Sequence, residues 1–406
     1  MRVLLITPYY APDLGPSAPL FTMLCEELVK LGHEVSVIAA VPHYPTGKVS
    51  PEFKGKLIQH EKRNGVNVTR VWVPSVNRAN LKQRFLTFIC YQVLATLVGM
   101  KNHYDVLIVS NPALEAGLPF LVLGIIRQKP AIFSVHDIYP DVGIRLGVFR
   151  HKVIIKLVEC IEYFCISRAT YVRVLSEGFR KFLRSKGVPD SKLVLIWDWV
   201  DTDLIRPLPR INQFSKHWGL NNSFVVMYAG NIGFSQGLEQ VIEAAKLLAK
   251  HSEILFVFVG DGANKENLKK RVQKEALSNV RFIPFQPRKL LPLVLASADI
   301  SLISLKKGIS NDSVPSKCFS ILASSRPIIA SVDKGSDTWN LINRAKCGIC
   351  VEPENPKALA DAVLNLYYDK NYRMQLGKNA REYVINHHSH IIAAQKFHKI
   401  IQPLIK

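Results

Sequence analysis

The segment Phe224-Val-Val-Met-Tyr-Ala-Gly-Asn-Ile-Gly-Phe-Ser-Gln-Gly-Leu-Glu239 decides the fold class of this chain. Its first six residues form an apolar run of strand length, and its last residues begin a helical pattern. Gly230, Gly233 and Gly237 mark the turn between them. A strand that is apolar on both faces belongs to a parallel sheet covered by helices. The segment therefore predicts one βα unit of an α/β fold.

Short apolar runs of this kind alternate with helical patterns almost throughout the chain. We predict strands at 2–7, 34–40, 66–73, 105–110, 131–136, 170–175, 192–197, 224–229, 254–259, 280–284, 300–305, 327–332 and 348–352. This alternation predicts βαβ units and hence doubly wound domains. Pro207 and Pro209 interrupt the pattern within a polar stretch at 198–222. The sequence predicts two Rossmann-like domains, 1–203 and 204–375, which face each other across a cleft, and C-terminal helices at 376–406 that pack at their seam.

The charge of the chain narrows the class of its partners. The 406 residues carry a formal net charge of +21 at pH 7. A strong positive field favours phosphorylated small molecules, anionic membranes or nucleic acid. Because the basic residues are spread along the chain without a basic tail or block, no nucleic-acid partner is predicted.

Cysteine usage and hydropathy indicate a cytoplasmic protein. The 7 cysteines are scattered and odd in number, which argues against a disulfide framework. The chain enters a strand at Arg2, so no secretory signal is expected. The apolar stretch Phe85–Met100 is shorter than the roughly 20 residues of a spanning helix. Basic residues at both ends of 81–101 leave two interpretations, a core helix or a surface helix that enters an anionic bilayer.

A second stretch, Asp312-Ser-Val-Pro-Ser-Lys-Cys-Phe-Ser-Ile-Leu-Ala-Ser-Ser-Arg-Pro327, predicts an anion site. A polar loop there opens a short apolar helix that leads into the strand Ile328–Val332. Backbone N–H groups and the positive end of a helix converge in such a loop and favour phosphate. Ser316 and Lys317 add a hydroxyl and an ammonium. The glycine turn at 230–237 permits a phosphate in the same way.

Other candidate ligand contacts follow predicted strands. His136 and Asp137 end the strand at 131–136, where polar groups are either ligand contacts or part of a surface loop. Gly15, in a proline-rich loop, permits a close approach of a ligand or simply connects strand and helix. Asp261 lies in the Val259–Gly262 repeat of the strand-then-glycine pattern. Phe285 either flanks a planar base or packs in the core.

Two further motifs resemble metal or redox sites. Cys347-Gly-Ile-Cys350 has a C-x-x-C spacing, but no second cysteine pair lies nearby to complete a zinc site. His387-His-Ser-His390 has no carboxylate pattern around it. We interpret the cysteines as packing residues and the histidines as part of a solvated surface, and we predict no metal.

Taken together, the motifs resemble those of glycosyltransferase family 4, whose members have the GT-B fold. The resemblance spans nearly the whole chain. It rests on Arg2–Thr7 with its proline loop, Leu31-Gly-His-Glu-Val35, His136-Asp137, Gly230–Glu239, Val259–Gly262, and Val314–Pro327 followed by Ile328-Ile-Ala-Ser331. The motif sequences are most similar to those of the bacterial subgroup that builds surface polysaccharides. That subgroup includes the colanic-acid fucosyltransferase type and the O-antigen N-acetylfucosamine transferase type.

The resemblance implies retaining transfer from a nucleotide sugar without an obligatory metal or other cofactor. Gly15 matches the glycine of the donor-facing first loop, and His136 matches the histidine that contacts the transferred sugar. Pro315, Ser316 and Lys317 match the loop expected at the diphosphate. Asp312 and Ser320 fall on the family's two glutamate positions, of which the first contacts the sugar and the second the ribose. The implied donor-binding set is Gly15, Asn231, Gly233, Gln236, Gly237, Asp261, Phe285, Pro315, Ser316, Lys317 and Ser320, and the implied catalytic set is His136, Asp312 and Lys317.

The chain departs from the family pattern at four positions. Asp312 is a shorter acid, and Ser320 is not an acid. Asn231 and Gln236 replace the common Arg and Lys of the phosphate loop, so two cations are missing where a departing diphosphate needs compensation. Lys317, backbone amides around Gly233 and Gly237, and Lys306 or Lys307 are left to supply it.

These observations predict a glycosyltransferase that uses a UDP- or GDP-linked sugar. Its acceptor is expected to be a polyprenyl-diphosphate-linked saccharide, and its place the inner face of the cytoplasmic membrane, as a peripheral protein on an anionic surface. Two alternatives share the architecture. One is a non-hydrolysing sugar-nucleotide epimerase, which needs catalytic carboxylates that the sequence does not offer convincingly. The other is a non-catalytic GT-B partner subunit.

Overall fold

The computed structural model describes residues 1–77, 80–145, 149, 151–309 and 315–404. They form two compact units. Unit 1 comprises Met1–Trp197 together with the C-terminal residues from His390 onward, and unit 2 comprises Asp198–Ser389. The chain therefore leaves unit 1 once and returns to it.

Unit 1 contains one sheet and a layer of helices on each face. Its strands are β1 (Arg2–Ile6), β2 (Glu34–Ala40), β3 (Ile58–Arg63), β4 (Val66–Val71), β5 (Val106–Ser110), β6 (Ala131–Ser134), β7 (Tyr171–Val174) and β8 (Leu193–Leu195). Its first helices are α1 (Ala18–Lys30), α2 (Leu81–Met100), α3 (Ala113–Pro119, continued by a π-helical turn at Phe120–Ile126), α4 (Asp141–Arg145), α5 (Lys152–Arg168) and α6 (Glu177–Ser185).

The strand order of this sheet is β3-β4-β2-β1-β5-β6-β7-β8. Neighbouring strands pair in parallel, with β3 and β4 as the antiparallel pair. Right-handed crossovers place α2, α3 and α5 on one face and α1 on the other. The helices α2, α3 and α5 pack side by side there. Between sheet and helices lies an apolar core that includes Leu4, Phe120 and Phe133, all fully buried.

The strand β3 is missing from the sequence-based prediction. It reads Ile-Gln-His-Glu-Lys-Arg, and none of its six residues is fully buried. It is the edge strand of the sheet, and both of its faces remain at least partly exposed, so it has no apolar face. A signal was present in Asn64-Gly65, because both residues have positive φ (46° and 86°) and this dipeptide is typical of a two-residue hairpin turn.

Unit 2 has the strand order 3-2-1-4-5-6 of a Rossmann fold. Its strands are β9 (Phe224–Ala229), β10 (Ile254–Val259), β11 (Val280–Ile283), β12 (Ile300–Ser304), β13 (Ile328–Ser331) and β14 (Gly348–Val351), which lie in the order β11-β10-β9-β12-β13-β14. Its helices are α7 (Gln213–His217), α8 (Glu239–Leu247), α9 (Lys265–Lys274), α10 (Leu291–Ala296), α11 (Lys317–Ala323), α12 (Asp337–Ala345), α13 (Pro356–Tyr368) and α14 (Lys370–His388). All strand pairs in this sheet are parallel.

The last helix, α15 (His390–Ile401), packs against α1 of unit 1. Polar contacts join α15 to α1 and to the residues just after α1. The His33 and His398 rings meet at 2.7 Å between Nε2 and Nδ1, and His390 Nε2 lies 3.6 Å from Glu27 Oε1. The segment 376–404 is thus divided, with α14 in unit 2 and α15 in unit 1.

In each unit the strand order reverses at one position, and a ligand crevice is expected there at the carboxyl ends of the strands. In unit 1 this position lies between β1 and β5, and in unit 2 between β9 and β12. The loops that follow these strands carry most of the predicted site residues. The α/β prediction with two Rossmann-like units is confirmed.

Candidate active site

Lys317 lies at the centre of the unit 2 site. It is the first residue of α11, directly after Ser316. Its Nζ stands 3.9 Å from the centre of the Tyr228 ring and donates a hydrogen bond to Gln236 Oε1 at 3.3 Å. Burial lowers the pKa of Lys317 to about 7, against a small opposing effect of Cys318. An ammonium so poorly hydrated is strongly stabilised by any anion that reaches it.

Glycines bring the backbone of two loops into direct contact beside Lys317. Gly230 and Gly260, which follow β9 and β10, have φ values of 147° and 144°. A Cβ on Gly260 would stand 2.0 Å from the Gly230 carbonyl oxygen, and one on Gly262 would stand 2.5 Å from the Ile232 backbone. A Cβ on Gly230 would lie 3.8 Å from Lys317 Nζ. Glycine is therefore required at 260 and 262, where the backbones of the two loops meet beside the lysine.

The turn that follows β9 forms the second wall. Gly233 begins a 3-10 turn at Phe234–Gln236, and Gly237 ends it in the left-handed conformation with φ 57°. The Tyr228 hydroxyl contacts the Asn231 carbonyl at 2.7 Å and Gln236 Oε1 at 3.0 Å. The Gln236 amide oxygen therefore faces both Tyr228 and Lys317, at the position where the family commonly has a lysine.

Lys306 lies against the same turn. Its backbone N–H donates to the Ser235 carbonyl at 3.0 Å, and its Cγ would stand 3.2 Å from a Cβ on Gly237. A buried hydrogen-bond network supports the turn from below. Gln240 connects Ser304, Ser331 and the Glu354 backbone, and Ser304 Oγ reaches the Gly237 carbonyl at 3.4 Å. After Lys317, Lys306 is thus the second lysine that lies beside the glycine turn at 230–237.

The remaining predicted residues of unit 2 lie farther out. Pro315 and Ser320 are half-buried and Ser316 is exposed around the start of α11. Asp261 is exposed, with Lys265 Nζ 3.8 Å from its carboxylate. Phe285 follows β11 with 72% of its surface exposed, so it is not a core residue. Asp312, which the family resemblance places at the transferred sugar, lies outside the described residues.

In unit 1, His136 follows β6 and is held on several sides. Its backbone N–H donates to Asn111 Oδ1 at 2.7 Å, and its Nε2 lies 3.2 Å from Ser134 Oγ. The fully buried Arg173 places Nη1 3.5 Å from His136 Nδ1 and donates from Nε to the Ile196 carbonyl. The Phe21 ring contacts the imidazole edge-on at 5.3 Å. The histidine belongs to an ordered polar cluster rather than to a loose surface loop.

The Gly15 loop is also held in place by buried side chains. Buried Asp13 accepts hydrogen bonds from the Gly15 N–H at 2.6 Å and from the His43 and Tyr44 N–H groups at 2.8 and 3.2 Å. A Cβ on Gly15 would stand 2.4 Å from Tyr9 Cγ. Fully buried Arg70 donates to the Tyr10 and Ala11 carbonyls of the same loop and pairs with Glu61.

Several residues of these clusters escaped prediction from the sequence. Asp13, Arg70, Asn111 and Arg173 act through contacts far along the chain, which no local pattern reveals. Charged residues inside predicted strands were the available signal. Arg70 and Arg173 interrupt the apolar runs of β4 and β7, and a buried cation within a strand needs a specific partner.

The structure agrees differently with the interpretations of the C-x-x-C motif at 347–350 and of the histidine motif at 387–390. Cys347 is buried and Cys350 half-buried, and their thiols face the Ile342 and Trp339 carbonyls of α12. Burial raises the pKa of Cys350 to about 12, which disfavours the thiolate that a metal or redox site needs. The prediction of a solvated histidine surface is wrong for His388 and His390, which are buried. His388 ends α14, which packs against α11, and His390 begins α15, which packs against α1.

A wide cleft of ≈ 830 Å³ lies at the opposite, amino-terminal edge of the unit 2 strands, beside Asp299 and Pro327. Four arginines that line it donate to backbone carbonyls. Arg326 donates to the Ala296 carbonyl at the end of α10, and Arg381 donates to the Ala323 carbonyl at the end of α11. These arginines cap helices, and the cleft is remote from the glycine loops.

Comparisons with known proteins agree with this geometry. The family model described as "Glycosyl transferase 4-like domain" matches residues 17–199, and the model described as "Glycosyl transferases group 1" matches residues 211–383. The chain belongs to the GT-B glycosyltransferases. The resemblance to glycosyltransferase family 4 indicated by the motifs is thereby confirmed.

Two relatives match this glycosyltransferase over most of its length. The probable glycosyltransferase WbjE of Pseudomonas aeruginosa is 26% identical over 82% of this chain and 83% of its own. The putative colanic acid biosynthesis glycosyl transferase WcaI of Escherichia coli K12 is 25% identical over 89% of this chain and 91% of its own. The crystal structure of Anabaena HepE in complex with UDP matches with a TM-score of 0.73 and 16% identity, covering 99% of this chain and 100% of that one. The last likeness concerns the fold.

Proposed function

We propose that this glycosyltransferase moves a sugar from a UDP- or GDP-linked donor to a polyprenyl-diphosphate-linked saccharide during bacterial surface-polysaccharide biosynthesis. The observation that carries the proposal is the half-buried Lys317, which lies beside Gly230 where the loops after β9 and β10 meet. A diphosphate fits such a place, because backbone amides and a cation converge there. The name of WcaI supports the polysaccharide, and the UDP bound to HepE supports a nucleotide donor.

The proposed reaction is retaining and needs no metal. The bond between the sugar's anomeric carbon and the β-phosphate breaks as the acceptor hydroxyl attacks from the same face. The leaving phosphate takes the acceptor's proton. Lys317, Lys306 and the amides around Gly233 and Gly237 offset the negative charge that develops on the diphosphate. In unit 1, His136 contacts the transferred sugar, as its match to the family histidine implies.

A thermal-shift screen against nucleoside diphosphates and nucleotide sugars tests the donor class. A ligand at 100 times its Kd stabilises the folded protein by about 2.7 kcal/mol, so UDP or GDP is expected to raise the Tm. Release of the nucleoside diphosphate from the selected sugar donor then measures turnover. No shift with any nucleotide contradicts the proposal. An epimer formed without acceptor would indicate an epimerase, and binding without transfer to any lipid acceptor would indicate a non-catalytic subunit.

The acceptor and membrane part of the proposal rests on an exposed apolar surface. Among the described residues, no helix is long and apolar enough to cross a membrane. On the outer side of α2, α3 and α5, however, many large apolar side chains are exposed, led by Val153 at 82%. They are Phe85, Leu86, Ile89, Val93, Leu97, Met100, Leu118, Ile126, Val153, Ile154, Leu157, Tyr163 and Phe164. Patches of this kind mark interaction sites.

Charge selects an anionic bilayer as the partner of this surface. Lys82, Lys101, Lys152 and Lys156 are exposed on α2 and α5 or at their ends. Basic residues around an apolar helix face favour anionic lipids, at about 1 kcal/mol for each Lys or Arg near the surface. A protein held in this way meets lipid-linked saccharides at the interface.

Acidic substitutions on this surface should release the protein from vesicles. We expect the double variant Val153→Glu/Leu157→Glu to float much less with vesicles that contain anionic lipid, because two charges would enter the bilayer. Ile391→Glu is the matched control, since Ile391 is an exposed apolar residue on α15. Equal flotation of both variants and the wild type would refute the membrane contact.

Donor affinity should depend on pH through Lys317. Burial lowers the pKa of Lys317 to about 7 in the ligand-free protein, and a bound diphosphate raises it. Above about pH 7, Lys317 therefore takes up a proton when the nucleotide binds. The affinity for UDP or GDP is therefore highest below pH 7 and falls as pH rises, by up to about tenfold per unit. Calorimetry in buffers of different ionisation enthalpy measures the proton uptake. Lys317→Met should abolish it, whereas an uptake unchanged in this variant would assign the proton to another group.

A further inference from the structure

A buried carboxylate supports the His136 loop from a distant part of the chain. Glu162 lies on α5 with only 3% of its surface exposed. Its Oε2 accepts the Ala113 N–H at 2.7 Å, and its Oε1 accepts Asn111 Nδ2 at 3.0 Å. Burial raises its pKa to about 7, while these two hydrogen bonds act in the opposite direction. Burying an ionisable carboxyl group is unfavourable unless it is hydrogen-bonded, so the groups that bond Glu162 indicate its role.

Asn111 transmits the position of this carboxylate to the histidine. Its Nδ2 donates both to Glu162 Oε1 and to the Asp137 carbonyl at 2.6 Å, and its Oδ1 accepts the His136 N–H at 2.7 Å. The amide thus has acceptors on its nitrogen side and a donor on its oxygen side. If the Asn111 amide were flipped, its oxygen would face the Glu162 carboxylate and the Asp137 carbonyl, and its NH2 group would face the His136 N–H. The acceptor at Glu162 therefore fixes the amide orientation that bonds the backbone of His136 and Asp137.

We propose that Glu162 is the positioning residue of the active site in unit 1, where it sets the place of His136 through Asn111. It acts by holding Asn111 from one side and the start of α3, at Ala113, from the other. The inference rests on the proposed function, in which His136 contacts the transferred sugar.

Glu162→Gln is the discriminating variant, because a glutamine has the same shape but only one acceptor oxygen. Its NH2 group must face either the Ala113 N–H or Asn111 Nδ2, both of which are donors. We expect kcat to fall by about 10- to 100-fold, the scale of a misplaced reacting group. The Kd for UDP or GDP should stay unchanged, since the proposed diphosphate site lies in unit 2. Glu162→Asp keeps the charge and both acceptor oxygens and should recover part of the rate.

A spectroscopic readout separates this inference from the proposed function. In protein labelled at histidine, the His136 ring signals are those that disappear in His136→Ala. They should shift in Glu162→Gln and stay in place in Glu159→Gln, whose carboxylate lies three residues earlier on α5, half-exposed beside Lys186. The shift needs no substrate, so it is observed even if the donor assignment fails. Unshifted His136 signals in a folded Glu162→Gln protein would overturn the inference.

Discussion

Lys317→Ala is expected to lower the rate of sugar transfer by about 10²–10³, the cost of removing one preorganised charge-stabilising donor. Lys317 Nζ lies beside Gly230, held between the Tyr228 ring and Gln236. With Gln236 in place of the family's lysine, no second ammonium at that position can take over. Turnover is measured as nucleoside diphosphate released from the donor identified in the thermal-shift screen.

The control for this variant is Lys334→Ala. Lys334 is exposed in the loop after β13 of the same unit, so its removal lowers the net charge equally. Loss of activity in both variants would indicate a general electrostatic effect. A wild-type rate in Lys317→Ala would remove the lysine from the mechanism.

Gly260→Ala is expected to destabilise unit 2 and to abolish nucleotide binding. The added Cβ would overlap the Gly230 carbonyl oxygen at 2.0 Å, and a φ of 144° is unfavourable for alanine. Because the obstructing atom is backbone, the whole loop after β9 must move. We expect a loss of about 3 kcal/mol or more in the free energy of unfolding, which corresponds to about 6–12 °C in Tm.

Gly335→Ala separates the crowding from the backbone strain. Gly335 also has a positive φ, of 80°, but no atom lies within 4 Å of a Cβ built on it. Its variant should lose only about 1–2 kcal/mol and should bind UDP or GDP normally. If Gly260→Ala binds the nucleotide as well as Gly335→Ala does, the contact between the two glycine loops is not required for the site.

The fold could be predicted from the sequence because its strands and helices correspond to local hydropathy patterns. Strands buried on both faces read as apolar runs, and each is followed by a helix, so the parallel sheets could be predicted with ends correct to within two residues. The edge strand β3 has no buried face and therefore no such run. Its hairpin signal, Asn64-Gly65, is followed by the apolar alternation of β4 but preceded by the polar residues of β3.

The candidate site is only half visible from the sequence. Gly230, Gly237 and Lys317 are recognisable because each follows a strand or opens a helix within a few residues. The pairing of Lys317 with Tyr228 and Gln236 joins residues about 80 to 90 positions apart, and the Glu162–Asn111 contact joins residues 51 apart. Such contacts depend on which helix packs beside which strand, and a single sequence holds no local trace of that.

The return of the chain to unit 1 has a consequence for biosynthesis. Unit 2 is one continuous stretch, Asp198–Ser389, and its residues are all available before α15 is made. Unit 1 begins first, yet α1 receives its partner helix only when the ribosome has passed residue 390. The first unit to be translated is therefore the last to be completed. Until then, α1 exposes to solvent the surface around His33 and Glu27 that α15 will cover.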